Sequence, residues 1–350
     1  MNPTKGRRVT LQDIAQRTGY TANTVSRALK NKSDISEATC KYIQDVAAEM
    51  GYIRNQMASS LRSGQTRTLG LVVGGMSNPY YGIMADQIQD AAMEHGYSLL
   101  ILCSRDHADL EMRVTEAALS HQVDGILLFP SYGSARTIER LRSLDVPFVL
   151  MGRQLEDDNA DSVICNEELG AYLITRHLIE GGCRSLAYMS NYDVVFASQH
   201  RLAGYRHACL EAGLPESAER SCILNDDEAI LHQLLAWKQQ GVRGVFYFCD
   251  DEAWRAVNLL AQQGLHIPSD FAIAGFDNIQ GMLPFPSPLC SVEYAPARMA
   301  RSGVELLLRR IRREDLPPQH IVFEPTVVCR GSCGRETAGR CPAPAQGLRP

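Results

Sequence analysis

Apolar positions along this chain change their period between its head and its body. From Thr10 to Leu29 (TLQDIAQRTGYTANTVSRAL) they recur at helical spacing, which predicts two short helices joined by a turn at Gly19. Thr10 followed by Asp13 has the spacing of a capping box, and Thr21 stands where a second N-cap belongs. At about 100° per residue, Ala22, Asn23, Ser26, Arg27 and Lys30 of the second helix share one sector of about 140°, with Val25, Ala28 and Leu29 on the other side. One face can pack while the other reads a partner. Ser36 precedes a third helix whose Ile43, Val46, Ala47 and Met50 form an apolar stripe, and Gly51 ends it. Three helices around one small core predict a helix-turn-helix headpiece over residues 9–53.

Residues 1–8 (MNPTKGRR) are expected to be a disordered basic arm. Residues 54–67 have the small side chains and basic charge of a linker; Asn55 to Arg62 could form two helical turns, too short to be stable alone in water, or a plain tether. From Leu69 the pattern becomes short apolar runs (LGLVVGG, LLILCSR, DGILLFP, PFVLMG) separated by amphipathic segments. The alternation restarts beyond Asp161 to Asn166 with SLAYMS, SCILN, GVFYFC and FAIAGF. Strands apolar on both faces and separated by helices predict parallel sheets covered on both sides. Two sets predict two α/β lobes over residues 68–330: lobe 1 at about 68–162 and 292–322, lobe 2 at about 163–291 and 323–330. The strand-like IVFEPTVVCR could return to the first lobe or bridge both. Residues 331–350, rich in Gly, Pro and Arg, read as a disordered tail. The fold class expected is therefore multidomain, an all-α headpiece on a two-lobed α/β body.

Charge sharpens this division. The 350 residues carry a formal net charge of −5, yet residues 1–67 hold eleven Lys and Arg against five Asp and Glu, a net of +6 that leaves −11 for the rest. A basic head on an acidic body is the electrostatic footprint of a nucleic-acid-binding module attached to a body kept off phosphate. In a major groove, Arg27 offers a fork to guanine and Asn23 a pair of bonds to adenine, with Ala22 beside them. The alternative is a solvated face on an ordinary helical hairpin. No apolar run approaches the roughly 18 residues needed to span a bilayer, and no hydrophobic stretch follows the basic N-terminus, so a cytoplasmic location is expected. The eleven cysteines form no CxxC pair and read as reduced thiols acting as small hydrophobes. Cys329, Cys333 and Cys341 have no His nearby at metal-ligand spacing, and neither a metal nor a cofactor is expected.

Ligands of open parallel sheets bind beyond the carboxyl ends of the strands. There the sequence places Tyr80 and Tyr81, Arg153, a loop reaching Arg201, the pair Asp250 and Asp251, and Asp277. Carboxylates, guanidinium groups and aromatic rings facing across a cleft suit a polyhydroxylated ligand. For Asp251 a helix N-cap is the competing reading. Enzyme signatures are missing: no GxGxxG or Walker sequence follows a strand, and neither GxSxG nor HExxH occurs.

These residues carry a resemblance. VTLQDIAQRTGYTANTVSRAL, GYIRNQMASSLRSGQTRTLG, NPYYG, HRLAGY at 200–205 and AGFDN at 274–278 occur in the order found in bacterial transcription regulators of the lactose/galactose repressor family, and the likeness spans Val9 to about Ser332. The resemblance implies a homodimer on a pseudopalindromic operator, with Thr10, Thr21, Ala22, Asn23, Ser26 and Arg27 at the DNA. It implies that Asn55 to Arg62 is a hinge helix whose Asn55, Ala58 and Leu61 meet the minor groove, Leu61 as a wedge. It further implies lobes similar to periplasmic sugar-binding proteins and a sugar-like small-molecule effector held by Tyr80, Tyr81, Arg153, Arg201, Asp250 and Asp277. Two departures stand out: Ala22 offers no hydrogen bond at a reading position, and Asp250 stands where the family often has Asn. The tail has no heptads, which favours a dimer over a tetramer. The competing readings are a free periplasmic receptor, which would need a signal peptide and no basic head, and a metabolic enzyme with a fused DNA-binding head, which would turn over its ligand.

Overall fold

The computed structural model describes residues 9–52, 65–153, 159–191, 196–282, 288–334 and 339–341. The chain divides into two compact units, 1–66 and 67–350. The first holds α1 (Leu11–Thr18), α2 (Ala22–Ala28) and α3 (Glu37–Glu49). The capping box forms: Thr10 Oγ1 accepts from the Asp13 N–H while Asp13 accepts from the Thr10 N–H. Gly19 closes α1 at φ 77°, a left-handed conformation that glycine adopts without steric cost. Thr21 and Ser36 cap α2 and α3. Ile14, Val25, Ala28, Cys40, Ile43 and Ala47 make the core. Gln44 of α3 donates to the Ala28 carbonyl and to Asn31 Oδ1, at 3.2 and 2.7 Å, satisfying the end of α2.

The second unit contains β1 (Thr68–Val73), α4 (Pro79–Glu94), β2 (Ser98–Cys103), α5 (Ala108–Ser120), β3 (Gly125–Leu128), α6 (Ala135–Ser143), β4 (Phe148–Met151), β5 (Ser162–Cys165), α7 (Glu167–Glu180), β6 (Leu186–Ser190), α8 (Phe196–Glu211), α9 (Pro215–Ala218), β7 (Ser221–Ile223), α10 (Asp227–Gln239), β8 (Gly244–Tyr247), α11 (Asp250–Gln262), β9 (Ala272–Ala274), β10 (Ser291–Glu293), α12 (Pro296–Ile311), β11 (His320–Phe323), β12 (Thr326–Cys329) and β13 (Gly339–Cys341). Two parallel sheets form the lobes, ordered β11-β5-β4-β3-β1-β2 and β7-β6-β8-β9. Each is covered on both faces, as its apolar strands require. Leu69, Leu71 and Val73 of β1 pack toward α4 and α12, and Val72 packs into the opposite core with Ala118 and Leu141. In lobe 2, α7 and α8 cover one face, while α10 and α11 cover the other with Leu234, Trp237 and Trp254. No described helix is long and apolar enough to cross a membrane.

Three features differ from the sequence expectation. The lobe boundaries shift by a few residues, because β5 to Cys165 and β11 to Phe323 pair within the first sheet. IVFEPTVVCR is two strands, not one: β11 completes lobe 1, and β12 joins β10 and β13 in a small antiparallel sheet whose Val327 and Cys329 lie in the lobe 2 core. The tail starting at residue 331 is not uniformly disordered. Ser332 and Cys333 are buried against lobe 2 and β13 pairs with β12, because a Gly-rich segment can still follow a sheet edge where it supplies backbone partners. The arm at 1–8 and the tail beyond 341 lie outside the described residues.

Candidate functional site

On α2 the split into two faces holds. Val25 and Ala28 are buried, Asn23, Arg27 and Lys30 are exposed, and Ala22 and Ser26 are half-buried between them. Arg27 forms an ion pair with Asp34, both side chains nearly half exposed. Thr10 and Thr21 spend their hydroxyls on capping. Asn55, Ala58 and Leu61 lie outside the described residues.

In the body, the carboxyl ends of strands from both parallel sheets converge on one cleft. Its lining includes Tyr80, Tyr81, Phe129, Arg153, Glu167, Arg201, Phe248 and Asp277, and its empty volume, mouth included, is about 500 Å³. Asn78 caps α4 by accepting from the Tyr80 N–H at 2.9 Å, which brings both tyrosines to the cleft wall. Tyr80, Tyr81 and Phe129 meet edge to face, with Tyr294 tilted behind Tyr80. Arg153 donates to the Pro130 carbonyl at 2.7 Å and lies 3.3 Å from Asp106.

Arg201 is the centre of charge. Its Nε donates to Glu167 at 2.6 Å, Nη2 approaches Asp277 at 3.4 Å, and Nη1 donates to the Phe248 carbonyl. The guanidinium is 3.6 Å from the Phe276 ring centre and 4.4 Å from that of Phe248. Burial opposes this charge, but Glu167 and Asp277 outweigh it and push the Arg201 pKa up. Burial also pushes the Asp277 carboxyl up to about 6, against the pull of Arg201. The lining therefore sets two arginines against Asp106, Glu167 and an Asp277 whose affinity for a proton burial has raised.

Of the six effector residues expected from sequence, Tyr80, Tyr81, Arg153, Arg201 and Asp277 line this cleft. Asp250 does not. Its carboxylate is fully buried and turned away, accepting from Ser291 Oγ at 2.6 Å and from the Ile279 N–H at 2.9 Å. Burial drives its pKa well above the carboxylate range, opposed by the Ser291 bond. Gly275 permits this position, since a Cβ there would lie 2.2 Å from Asp250 Oδ1. Arg201 is on the second turn of α8, not in a loop. Asp251 is not an N-cap; Cys249 holds that place without a side-chain bond. Glu167, Asp106, Phe129 and Phe248 were missed. Glu167 opens a helix directly after β5, the same strand-end signal that singled out the others.

Comparison with known proteins agrees with this arrangement. The profile of bacterial regulatory proteins, lacI family, matches residues 10–55, and that of the periplasmic binding protein-like domain matches residues 175–333. The HTH-type transcriptional repressor PurR of Actinobacillus pleuropneumoniae serotype 3 (strain JL03) is 27% identical over 330 residues, covering 92% of this chain and 98% of the relative. A transcriptional regulator CelR–cellobiose complex superposes with a TM-score of 0.66 at 26% identity, covering 93% of this chain and all of the other. The lac repressor dimer bound to operator and the anti-inducer ONPF reaches 0.78 at 20% identity, over 93% and 99% of the two chains, a likeness of fold. With a capped helix-turn-helix head and a two-lobed α/β body in the same order, the chain joins a lacI-family helix-turn-helix domain to a periplasmic-binding-protein-like domain, the arrangement of the transcriptional repressors it resembles.

Proposed function

We propose that this chain is a cytoplasmic repressor that binds a pseudopalindromic operator as a homodimer and is controlled by a neutral, sugar-like metabolite in the cleft between its lobes. The observation that carries the effector half is the Arg201 cluster: a guanidinium fixed between Glu167 and Asp277, facing the tyrosines of the opposite lobe across one cavity. Guanidinium and carboxylate present donors and acceptors to adjacent hydroxyls, and Tyr80 and Tyr81 offer faces to C–H groups. Glu167, Asp277 and Asp106 disfavour an acid, because Arg201 and Arg153 are already engaged. The similarity to the CelR–cellobiose complex supports the ligand class.

In the head, Ala22, Asn23, Ser26 and Arg27 form the base-reading surface, and Thr10 and Thr21 position the backbone of the two helices against phosphate. Asn55, Ala58 and Leu61 would enter the minor groove as a hinge, with Leu61 the wedge. Dimerisation is supported by the edge strand β2, whose Leu99 to Cys103 run is apolar yet half-exposed, with Ile101 41% accessible; such an edge calls for a cover. Free thiols at the ten cysteines whose side chains the structure describes support a reducing compartment. A ligand that touches both lobes favours one closure angle, and a few kcal/mol of difference between closure states changes operator occupancy strongly.

The test is fluorescence anisotropy of the full-length protein on DNA from upstream of its own gene, with and without a panel of mono- and disaccharides. A sugar should shift DNA affinity at least tenfold, and Asp277→Ala should abolish that shift while leaving DNA binding in place. If an organic acid or nucleobase alone elicits the response, the charge reading of the cleft is wrong. If no DNA is preferred over random sequence, the operator reading fails.

A further inference from the structure

Away from the cleft, four potential metal ligands meet inside lobe 2. His177 lies in the last turn of α7, Cys290 precedes β10, Cys329 ends β12, and Cys333 follows it. All four are buried, and their ligand atoms lie within 4.8 Å of one another. Cys290 Sγ is 3.8 Å from Cys329 Sγ, Cys329 Sγ is 3.5 Å from Cys333 Sγ, and Cys333 Sγ is 3.1 Å from His177 Nε2. No disulfide joins them, since a bonded pair of sulfurs would be about 2.05 Å apart.

We propose that these four residues form a closed Cys3His zinc site. A tetrahedral zinc with bonds of about 2.3 Å to sulfur and about 2.0 Å to nitrogen has edges of about 3.8 Å between sulfurs and about 3.5 Å between sulfur and nitrogen. The three spacings above lie within about half an ångström of these edges and the others stay within 4.8 Å, so closing on the metal takes side-chain shifts of up to about 1 Å. Three soft sulfurs with one imidazole select zinc over magnesium or calcium. Four protein ligands leave no position for a reacting water, which makes the site structural.

The surroundings supply an outer layer. The Arg330 N–H donates to Cys290 Sγ at 3.3 Å, as thiolate ligands require. The Cys290 N–H donates to Ser332 Oγ at 2.7 Å, and Ser332 Oγ donates to the Ile273 carbonyl at 2.6 Å, so the turn carrying Cys333 is fixed to β9 and β10. Gly331, at φ 94°, allows the chain to fold back between the two cysteines. The segment after β12 also runs close under α7: a Cβ on Gly181 would be 3.0 Å from the Cys333 carbonyl. The remaining described cysteines lie outside the cluster.

The site would bind the end of α7 to β10 and β12, the two strands that enter and leave lobe 2 from lobe 1. Loading it would hold the C-terminal segment on the lobe whether or not the cleft is filled. In sequence the ligands escape notice because His177 and Cys290 are far from the Cys329–Cys333 pair, and only the topology brings them together.

The experiment uses untagged full-length protein purified under reducing conditions. Elemental analysis should find about one zinc per chain, and protein stripped and reloaded with Co²⁺ should show thiolate-to-cobalt charge transfer with a tetrahedral ligand-field spectrum. Cys333→Ser should lose most of the metal, whereas Cys103→Ser, in lobe 1, should retain it. Should Cys333→Ser fail to fold, alkylation of the unaltered protein decides instead: zinc should protect Cys290, Cys329 and Cys333, and a chelator should expose them. Reduced protein that takes up neither zinc nor cobalt at excess metal would overturn the proposal. So would a Cys329–Cys333 or Cys290–Cys329 disulfide in freshly isolated protein, which would make the cluster a redox pair.

Discussion

Replacing Arg201 by methionine removes a buried cation while keeping an apolar stem against Phe276 and Phe248. Glu167 and Asp277, 8% and 6% exposed, would then face each other without their counter-ion. Breaking a buried pair by deleting one partner costs about 3–5 kcal/mol. The pH dependence follows from Asp277, whose folded pKa of about 6 exceeds its ordinary 3.8. Between those values the native state holds the proton more tightly than the unfolded chain does. Stability from this group is therefore fully present below about pH 4, falls as pH rises toward 6, and the cost at neutral pH is about 3 kcal/mol. Without Arg201 the folded pKa rises further, so the variant recovers on acidification by protonating the stranded carboxylates. Glu252, pushed up to about 8 by burial and held down partly by Arg201, shifts with the same sign. The assay is urea unfolding of the intact chain from pH 5 to 8, read by tryptophan fluorescence, because Trp237 and Trp254 both lie in the lobe 2 core and report the lobe carrying the substitution. The stability gap between Arg201→Met and the unaltered protein should be about 3–5 kcal/mol at pH 8 and shrink by at least half at pH 5. A gap that stays constant with pH would refute the assignment of Asp277 as the titrating partner.

Arg27→Ala should weaken operator binding by about 1–3 kcal/mol and random DNA much less, with little cost from the exposed Asp34 pair; equal losses on both would reduce Arg27 to a phosphate contact. Gly204→Ala would place a Cβ 2.1 Å from the Glu168 carbonyl and 2.9 Å from the Tyr172 amide, forcing α7 and α8 apart. Because both obstacles are backbone, the loss should sit at the upper end of the about 1–3 kcal/mol typical of overpacking, and an unchanged urea midpoint would contradict the packing. Asp250→Asn preserves an acceptor for Ile279 and supplies a donor for Ser291, so calorimetry should find effector affinity altered less than threefold; a loss beyond tenfold would return Asp250 to the cleft.

What the sequence disclosed was periodic or local. The headpiece was legible because its caps, Gly19 and the stripe from Ile43 to Met50 are short-range signals, and the parallel strands because they are apolar on both faces. The passage of IVFEPTVVCR from one lobe to the other was legible as one of two readings, but its division into two strands and the antiparallel pairing of β12 with β10 were not, because the partner strand is remote in sequence. Asp250 was misread for a related reason. Its position at a strand end marks it as a cleft residue, but side-chain direction depends on Gly275 and Ser291, which approach it only in the folded lobe. The assignment of Arg201 to a loop failed because the face that Phe196–Glu211 buries holds Ser198 and Arg201 beside small residues, while Leu210 is exposed, so hydrophobicity does not mark the helix.

Asp250 nevertheless bears on the site, through the turn that presents Asp277. Asp277 and Asn278 adopt φ of 96° and 47°, conformations that cost a non-glycine residue energy unless neighbours impose them. The neighbours are identifiable: the Asp277 N–H donates to the Val292 carbonyl at 3.0 Å, the Asn278 N–H to Ser291 Oγ at 2.9 Å, the Ile279 N–H to Asp250, and Arg330 donates to Asn278 Oδ1 at 2.6 Å. Ser291 and Val292 belong to β10 and Arg330 follows β12, so the strands that connect the lobes also hold the carboxylate that pairs with Arg201. A change in lobe closure that moved β10 or β12 would therefore change the aim and the charge of Asp277 directly. That gives the effector and the lobe connection one shared structural element, through which occupancy of the cleft can bias the arrangement of the lobes.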